Sequence, residues 1–277
     1  MTAIQKIHLP MAGGQLFFRT SGKGPLLVLL HPSPQHSGRM EGLLSLLSPH
    51  FQVVAPDTPG YGLSDQLQPA PEQMSDYLPF IEAIREHFCA SAIYLYGTAT
   101  GAQLAIAYAL AYPEKVNHLF LDNAAHFDED MRNQLLEKYF ISLEPTPNGA
   151  HLERLWQMAE KSCLFFPWYS EDEKHRIANV LPPPEIIQGI VQDHLIAGKD
   201  YGRAYRAAFL HEKAAHLQQL KIPATFFRWL GSPLLSYMNH LLEFELPANI
   251  QVVDTPAGLS ERWKVMQQTI FSVLFKS

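Results

Sequence analysis

The chain has 277 residues, of which 47% are hydrophobic and 17% charged, a composition that excludes a disordered protein and predicts a sizeable core. A formal charge of -6 gives no basic surface for nucleic acid. The longest apolar stretch, 104–112, is too short to span a bilayer, and the first residues do not resemble a secretion signal. Cys89 and Cys163 fit no metal-ligand spacing. We therefore expect a cytoplasmic protein with free thiols that acts neither on nucleic acid nor at a membrane.

The first half of the chain alternates apolar strands with helical segments. Residues 4–10 and 15–20 predict a short leading hairpin. The segments that follow are, in order, the strand GPLLVLL, a helical pattern over 37–47, the strand FQVVAP, an amphipathic segment over 72–88, the strand at 93–96, an apolar helix and the strand VNHLFLD. This alternation predicts an α/β protein with a mostly parallel sheet.

The pattern changes in the middle of the chain. Residues 127–216 show helical periodicity without convincing strands and are rich in aromatic side chains. Strands resume with IPATFFRW and IQVVDT, and an amphipathic helix follows from Ser260. We therefore predict one core formed by 1–126 and 217–277, with a helical cap inserted at 127–216.

The stretch IYLYGTATG, residues 93–101, joins a strand to a helix through two glycines around a central residue. Strand, sharp turn and helix is the context in which a G-x-S-x-G turn presents a nucleophile at the top of a parallel sheet. Here the central residue is Ala99. The sequence therefore predicts the scaffold of a nucleophile elbow without its nucleophile.

Three motifs, LLHPSP, PDTPGYGLSD and GTATG, together resemble the α/β-hydrolase superfamily with a helical cap. The resemblance implies an α/β-hydrolase fold, with a mostly parallel eight-stranded sheet and the cap inserted after the sixth strand. It also implies a pocket between sheet and cap, and a triad of nucleophile, histidine and acid.

All three triad positions are substituted in this chain. The nucleophile position is Ala99, the acid position in LGSPLL is Ser232, and the histidine position in DTPAGLSERW is Leu259. The last histidine is His240, so no later one could take the place of the third member. One engineered substitution would explain Ala99 alone, and we therefore favour a natural loss of the triad.

The resemblance also places an oxyanion hole, which binds a carbonyl oxygen through two backbone N–H groups. Thr100 can supply the first donor. Pro32 has no N–H, and Ser33 can supply the second. We expect this pair, with Ala99 between them, to bind a carbonyl oxygen or a small anion.

Three residues are candidates for acid/base catalysis. His31 ends the strand beside the expected pocket; it either donates to a ligand or ties the oxyanion loop to neighbouring backbone, and we favour the second. Asp122 ends the strand after the elbow helix, where it is a base or a turn residue. His126 lies at the entry to the cap, either within reach of the pocket or in solvent.

Further residues are candidates for ligand binding. Thr98 flanks the elbow, and Leu259 occupies the histidine position. Arg228 lies on an apolar strand, where it binds a substrate carboxylate or pairs with an aspartate. Trp168 and Tyr169 in the cap either line an apolar pocket or pack the cap against the core.

These features favour a cofactor-independent enzyme without a metal. We expect it to bind a small apolar molecule bearing a carbonyl or carboxylate and to promote a non-hydrolytic step of lyase, decarboxylase or cyclase type. A non-catalytic ligand-binding protein is the first alternative. A hydrolase with its nucleophile engineered to Ala99 is the second. The sequence identifies neither the substrate nor the oligomeric state.

Overall fold

A computed structural model describes residues 3–274, and eight strands within them form one sheet in the order β1-β2-β4-β3-β5-β6-β7-β8. The strands are β1 (Gln5–Met11), β2 (Gly14–Ser21), β3 (Leu26–Leu30), β4 (Gln52–Pro56), β5 (Ile93–Thr98), β6 (Val116–Asp122), β7 (Ala224–Trp229) and β8 (Ile250–Thr255). Strand β2 pairs antiparallel with β1 and β4, and the remaining pairs are parallel. The predicted mostly parallel eight-stranded sheet is confirmed.

Ten α-helices lie within the same described residues. They are α1 (Glu41–Leu47), α2 (Leu78–His87), α3 (Thr100–Ala111), α4 (Glu129–Lys138), α5 (Ala150–Leu164), α6 (Pro184–Ala197), α7 (Arg203–His211), α8 (Ala214–Gln218), α9 (Leu235–Leu241) and α10 (Leu259–Leu274). Helices α4 to α8 separate β6 from β7, so the helical insertion follows the sixth strand as predicted. The limits of 127 and 216 for this cap stay a prediction.

The central strands are buried on both faces, which explains their continuous apolar sequences. All five residues of β3 are buried. Leu27 and Leu29 point to the side covered by α1 and α10, whereas Val28 and Leu30 point to the side covered by α2 and α3. Because successive strand residues face opposite sides, each layer of helices requires its own apolar set. The sheet is thereby packed between two layers of helices, which fix the position of the carboxyl ends of its parallel strands.

Candidate functional site

The elbow keeps its bent backbone although it carries only a methyl group. Ala99 lies between β5 and α3 with φ 49° and ψ −114°, a conformation that residues with a Cβ rarely adopt. The flanking glycines allow the close packing around it. A Cβ on Gly97 would overlap the carbonyl oxygen of Gly101, and one on Gly101 would overlap that of Leu30. The bend is thus fixed by the contact of helix α3 with the strands.

A cavity of about 350 Å³ lies between the carboxyl ends of the strands and the cap. Its wall is mainly apolar and aromatic, as is usual for small-molecule sites. Ser33, Ala99, Thr100 and Asn123 line it from the core side. The cap side includes Phe127, Tyr139, Met158, Phe166, Trp168, Ile177, Ile190, Tyr201, Tyr205, Ala208 and Phe209. The predicted ligand residues Ser33, Ala99, Thr100 and Trp168 therefore share one cavity.

Two candidate backbone donors, the N–H groups of Ser33 and Thr100, belong to residues that line the same cavity as Ala99. Ser33 and Thr100 are both buried and both line the cavity. Within residues 3–274, neither backbone N–H has a hydrogen-bond acceptor. A buried amide without an acceptor is costly, and a carbonyl oxygen in the cavity could bind to it. The pair has the composition expected of an oxyanion hole.

His31 does not line the cavity. It is buried, its Nε2 accepts from the backbone N–H of Thr58 at 2.9 Å, and its Nδ1 lies 3.0 Å from the carbonyl oxygen of Pro32. Burial lowers the pKa of His31, so the ring is neutral near pH 7. With both nitrogens occupied, His31 braces the loop that carries Ser33 and has no nitrogen available for acid/base catalysis.

Asp122 is also absent from the cavity wall and is held in a buried ion pair. Its carboxylate accepts from the Tyr96 hydroxyl at 2.6 Å and from Nη2 of Arg262 on α10. The guanidinium also lies over the ring of Trp229, 4.6 Å from its centroid. The pKa of Tyr96 is raised by burial and by the carboxylate beside it. Asp122 therefore joins β6 to α10 through this pair and lies outside the cavity wall in which its predicted catalytic role would place it.

The other two triad positions carry no acid or base. Leu259 begins α10, is 58% exposed and does not line the cavity. Ser232 donates to the Asn123 side chain at 2.6 Å, and Asn123 in turn donates to Thr98 at 3.4 Å. Thr98 is buried behind the cavity wall rather than part of it. At the two positions that the sequence predicts for the acid and the histidine, the structure thus has a hydroxyl network and the start of a helix.

His126 pairs with a carboxylate that the sequence did not identify. Its Nδ1 lies 2.8 Å from Glu212, and its ring stacks on that of His240 with centroids 5.1 Å apart. Glu212 is buried, lines the cavity and also accepts from Arg132 and from the backbone N–H of Phe127. His126 itself is not part of the cavity wall. Its pair with Glu212 joins the cap entry to the end of α7.

The remaining predicted ligand residues are spread over the molecule. Arg228 pairs with Asp254 at 2.6 Å on a partly exposed surface, which is one of the two alternatives we considered for it. Tyr169 packs against an aromatic cluster around Phe127 and does not line the cavity above Ala99. The three predicted catalytic residues, His31, Asp122 and His126, are not brought together at the cavity.

Several polar residues of the wall were missed by sequence reasoning. Gln103 interrupts the apolar helix GAQLAIAY, and this interruption was a usable signal. His194 lies on α6, where its Nδ1 donates to the Ile190 carbonyl oxygen at 2.8 Å. Because a carbonyl oxygen can only accept a hydrogen bond, Nδ1 of the neutral ring carries the proton and Nε2 carries the lone pair. Burial lowers the pKa of His194, and Nε2 has no partner in the described part of the chain.

An ion pair holds the cap on the core at the cavity wall. Arg39, which follows β3, donates to Asp193 of α6 at 3.2 Å and to the Gly189 carbonyl oxygen at 3.0 Å. Asp193 is almost fully buried and lines the cavity.

Among residues 3–274, no group of three or more His, Cys, Asp or Glu side chains is placed to hold a metal ion, and no helix is long and apolar enough to cross a membrane.

Comparison with known proteins agrees with the fold described above. Residues 25–159 match the family model described as the alpha/beta hydrolase fold. Epoxide hydrolase A from Mycobacterium thermoresistibile has a similar structure over 99% of both chains, with a TM-score of 0.70 and 19% identity. The crystal structure of E-2-(acetamidomethylene)succinate hydrolase superposes with a TM-score of 0.65, over 99% of this chain and 100% of that one, at 16% identity.

Curated relatives match over shorter lengths. The pimeloyl-[acyl-carrier protein] methyl ester esterase of Nitrosomonas europaea is 36% identical over 111 residues, which are 38% of this chain and 40% of the relative. The 2-(acetamidomethylene)succinate hydrolase of Mesorhizobium japonicum is 32% identical over 98 residues, 35% of each chain. The matched part thus spans two fifths or less of either relative. The family match over residues 25–159 and the similar solved structures show that this chain has the α/β-hydrolase fold.

Proposed function

We propose that this protein binds a small, mainly apolar acyl compound in the cavity above Ala99 and does not hydrolyse it through an acyl-enzyme. One observation carries the proposal: Ala99 lines the cavity together with Ser33 and Thr100, whose backbone N–H groups have no acceptor among the described residues. A carbonyl oxygen satisfies both donors, and the aromatic wall takes the apolar part of the ligand.

The absence of acyl-enzyme chemistry follows from the side chains. The methyl group of Ala99 is no nucleophile. The acid position is Ser232 and the histidine position is Leu259, and Asp122 is neutralised by Arg262. The named relatives are an esterase and hydrolases, so this chain would keep their fold without the side chains that hydrolysis through an acyl-enzyme requires.

Binding is tested by NMR with a medium-chain methyl ketone and the alkane of the same length. The ketone should shift the amide resonances of Ser33 and Thr100 and bind more tightly than the alkane, because only the ketone supplies an acceptor for the two donors. Binding of the two probes with equal affinity, or without a shift at either amide, would contradict the proposal.

A second candidate function, non-hydrolytic catalysis, is favoured by His194. This buried, neutral imidazole lines the cavity with Nδ1 fixed and Nε2 without a protein partner. Such a group can take a proton from the carbon next to a bound carbonyl, a first step open to lyases and cyclases.

The catalytic candidate predicts that the protein exchanges the α-protons of a bound ketone with deuterium from solvent. His194→Gln should abolish the exchange and leave the shifts at Ser33 and Thr100 intact. Exchange that persists in the variant would exclude His194 as the base. Absence of exchange in the unaltered protein would leave ligand binding as the proposed function.

A further inference from the structure

A second cavity, of about 510 Å³, adjoins the one above Ala99. Phe166, Ile177 and Pro233 line both, so the two spaces share a wall. The second cavity lies between the segment that follows α5 and the segment that precedes and begins α9. It is the more polar of the two, with hydroxyl donors from Ser236 and Tyr237.

Basic side chains line this second cavity. They are Lys174, His175 and Arg176, and no aspartate or glutamate is among the lining residues, although Nδ1 of His175 lies 2.8 Å from the exposed Asp172. Arg176 is paired with Glu173, but the glutamate side chain is 83% exposed and the arginine side chain 29%, so the acid lies on the solvent side. Lys174 has no ion-pair partner among the residues that the structure describes. The wall can therefore attract an anion.

The basic segment is held in a fixed position. The backbone N–H of Phe166 donates to the His175 carbonyl oxygen at 2.8 Å, and that of Ile177 to the Leu164 carbonyl oxygen at 2.8 Å. The guanidinium of Arg176 lies over the ring of Phe165, 4.7 Å from its centroid. Charges on a segment tied to the end of α5 lose less entropy on binding than charges on a free loop.

We propose that the ligand is an amphiphile, whose acyl part occupies the cavity above Ala99 and whose carboxylate or phosphate group binds to Lys174 and Arg176 in the adjoining cavity. This inference rests on the proposed acyl-binding function and adds the class of ligand to it. A guanidinium offers paired donors to a carboxylate or phosphate, and the ammonium of Lys174 adds an unpaired charge beside it.

The experiment measures calorimetric affinities for three probes with the same medium-chain tail. The probes are a neutral methyl ester, the half methyl ester of the matching dicarboxylic acid, and an alkyl phosphate that carries the same ester. At least one anionic probe should bind about threefold to tenfold more tightly than the neutral ester, and salt should weaken this preference. The two anionic probes distinguish a carboxylate from a phosphate ligand.

Lys174→Gln and Arg176→Gln should remove the preference for the anionic probe and leave the affinity for the neutral ester unchanged. The matched control is Lys221→Gln, because Lys221 is exposed and lines neither cavity. Equal affinities for all three probes, with shifts at Ser33 and Thr100, would overturn the anion site and keep the acyl site. Failure of all three probes to bind would overturn both.

Discussion

The buried pair of Asp122 and Arg262 offers a sharp test of the role that the structure gives to Asp122. In the variant Arg262→Met, the carboxylate keeps only the Tyr96 hydroxyl as a donor and stays buried without a counter-charge. Breaking a buried pair from one side costs about 3–5 kcal/mol, since the remaining charge has neither water nor partner. We expect Arg262→Met to lower the free energy of unfolding by about this amount.

The magnitude is checked by urea unfolding followed by circular dichroism, with Arg228→Met as the matched control. Arg228 forms the same kind of pair with Asp254, but the aspartate side chain is 50% exposed. Loss of such a surface pair costs about 0–1 kcal/mol. Replacing both buried partners, as in Asp122→Leu with Arg262→Met, should recover most of the lost stability because no unpaired charge remains. Equal losses in Arg262→Met and Arg228→Met, or no recovery in the double variant, would refute this reasoning.

Three further predictions concern the elbow and His211, the last residue of α7. Ala99→Ser should give no burst of acyl-enzyme with an activated ester, and turnover no higher than the roughly 10³–10⁴-fold over water that a binding site alone supplies; a burst would instead support an engineered knockout. Gly101→Ala should lower the free energy of unfolding by at least about 1–3 kcal/mol, measured by thermal unfolding, because its Cβ would overlap a backbone carbonyl. Gly42→Ala, in open space on α1, should stabilise by about 0.5–1 kcal/mol instead, and a similar loss at both glycines would argue against the overlap. Burial lowers the pKa of His211 from 6.5 to about 4, so the unfolded chain binds the proton first and stability should fall as pH drops from 6.5 towards 4. His211→Asn should reduce that loss in urea titrations at several pH values, and an unchanged pH dependence would exclude this histidine as its source.

The sheet was predictable because each strand carries its own signal. The runs LLVLL and VVAP are apolar throughout, as burial on both faces requires, and they alternate with helical periodicity. The elbow was predictable for a similar reason, since strand, glycine, turn and helix are consecutive in the chain. The cap after the sixth strand followed from a loss of strand patterns over a long stretch.

The arrangement of charged groups was not predictable from local sequence. Asp122 and Arg262 are 140 positions apart, and nothing near either residue in the chain indicates the other. His194 follows an ordinary helical pattern, and only the tertiary structure shows that it faces a cavity and has one nitrogen without a partner. Pairings across the fold depend on the register of strands β6 to β8 and on the start of α10, which patterns of hydrophobicity do not specify.

The bend at Ala99 carries a consequence for how such proteins change. An unfavourable backbone conformation of this kind costs on the order of 1–3 kcal/mol and is tolerated here without a reactive side chain at its tip. Relaxing it would require helix α3 to move away from Gly97 and Leu30, and so would disturb the centre of the molecule. The main chain at this turn can therefore keep its bent form whichever small side chain occupies position 99.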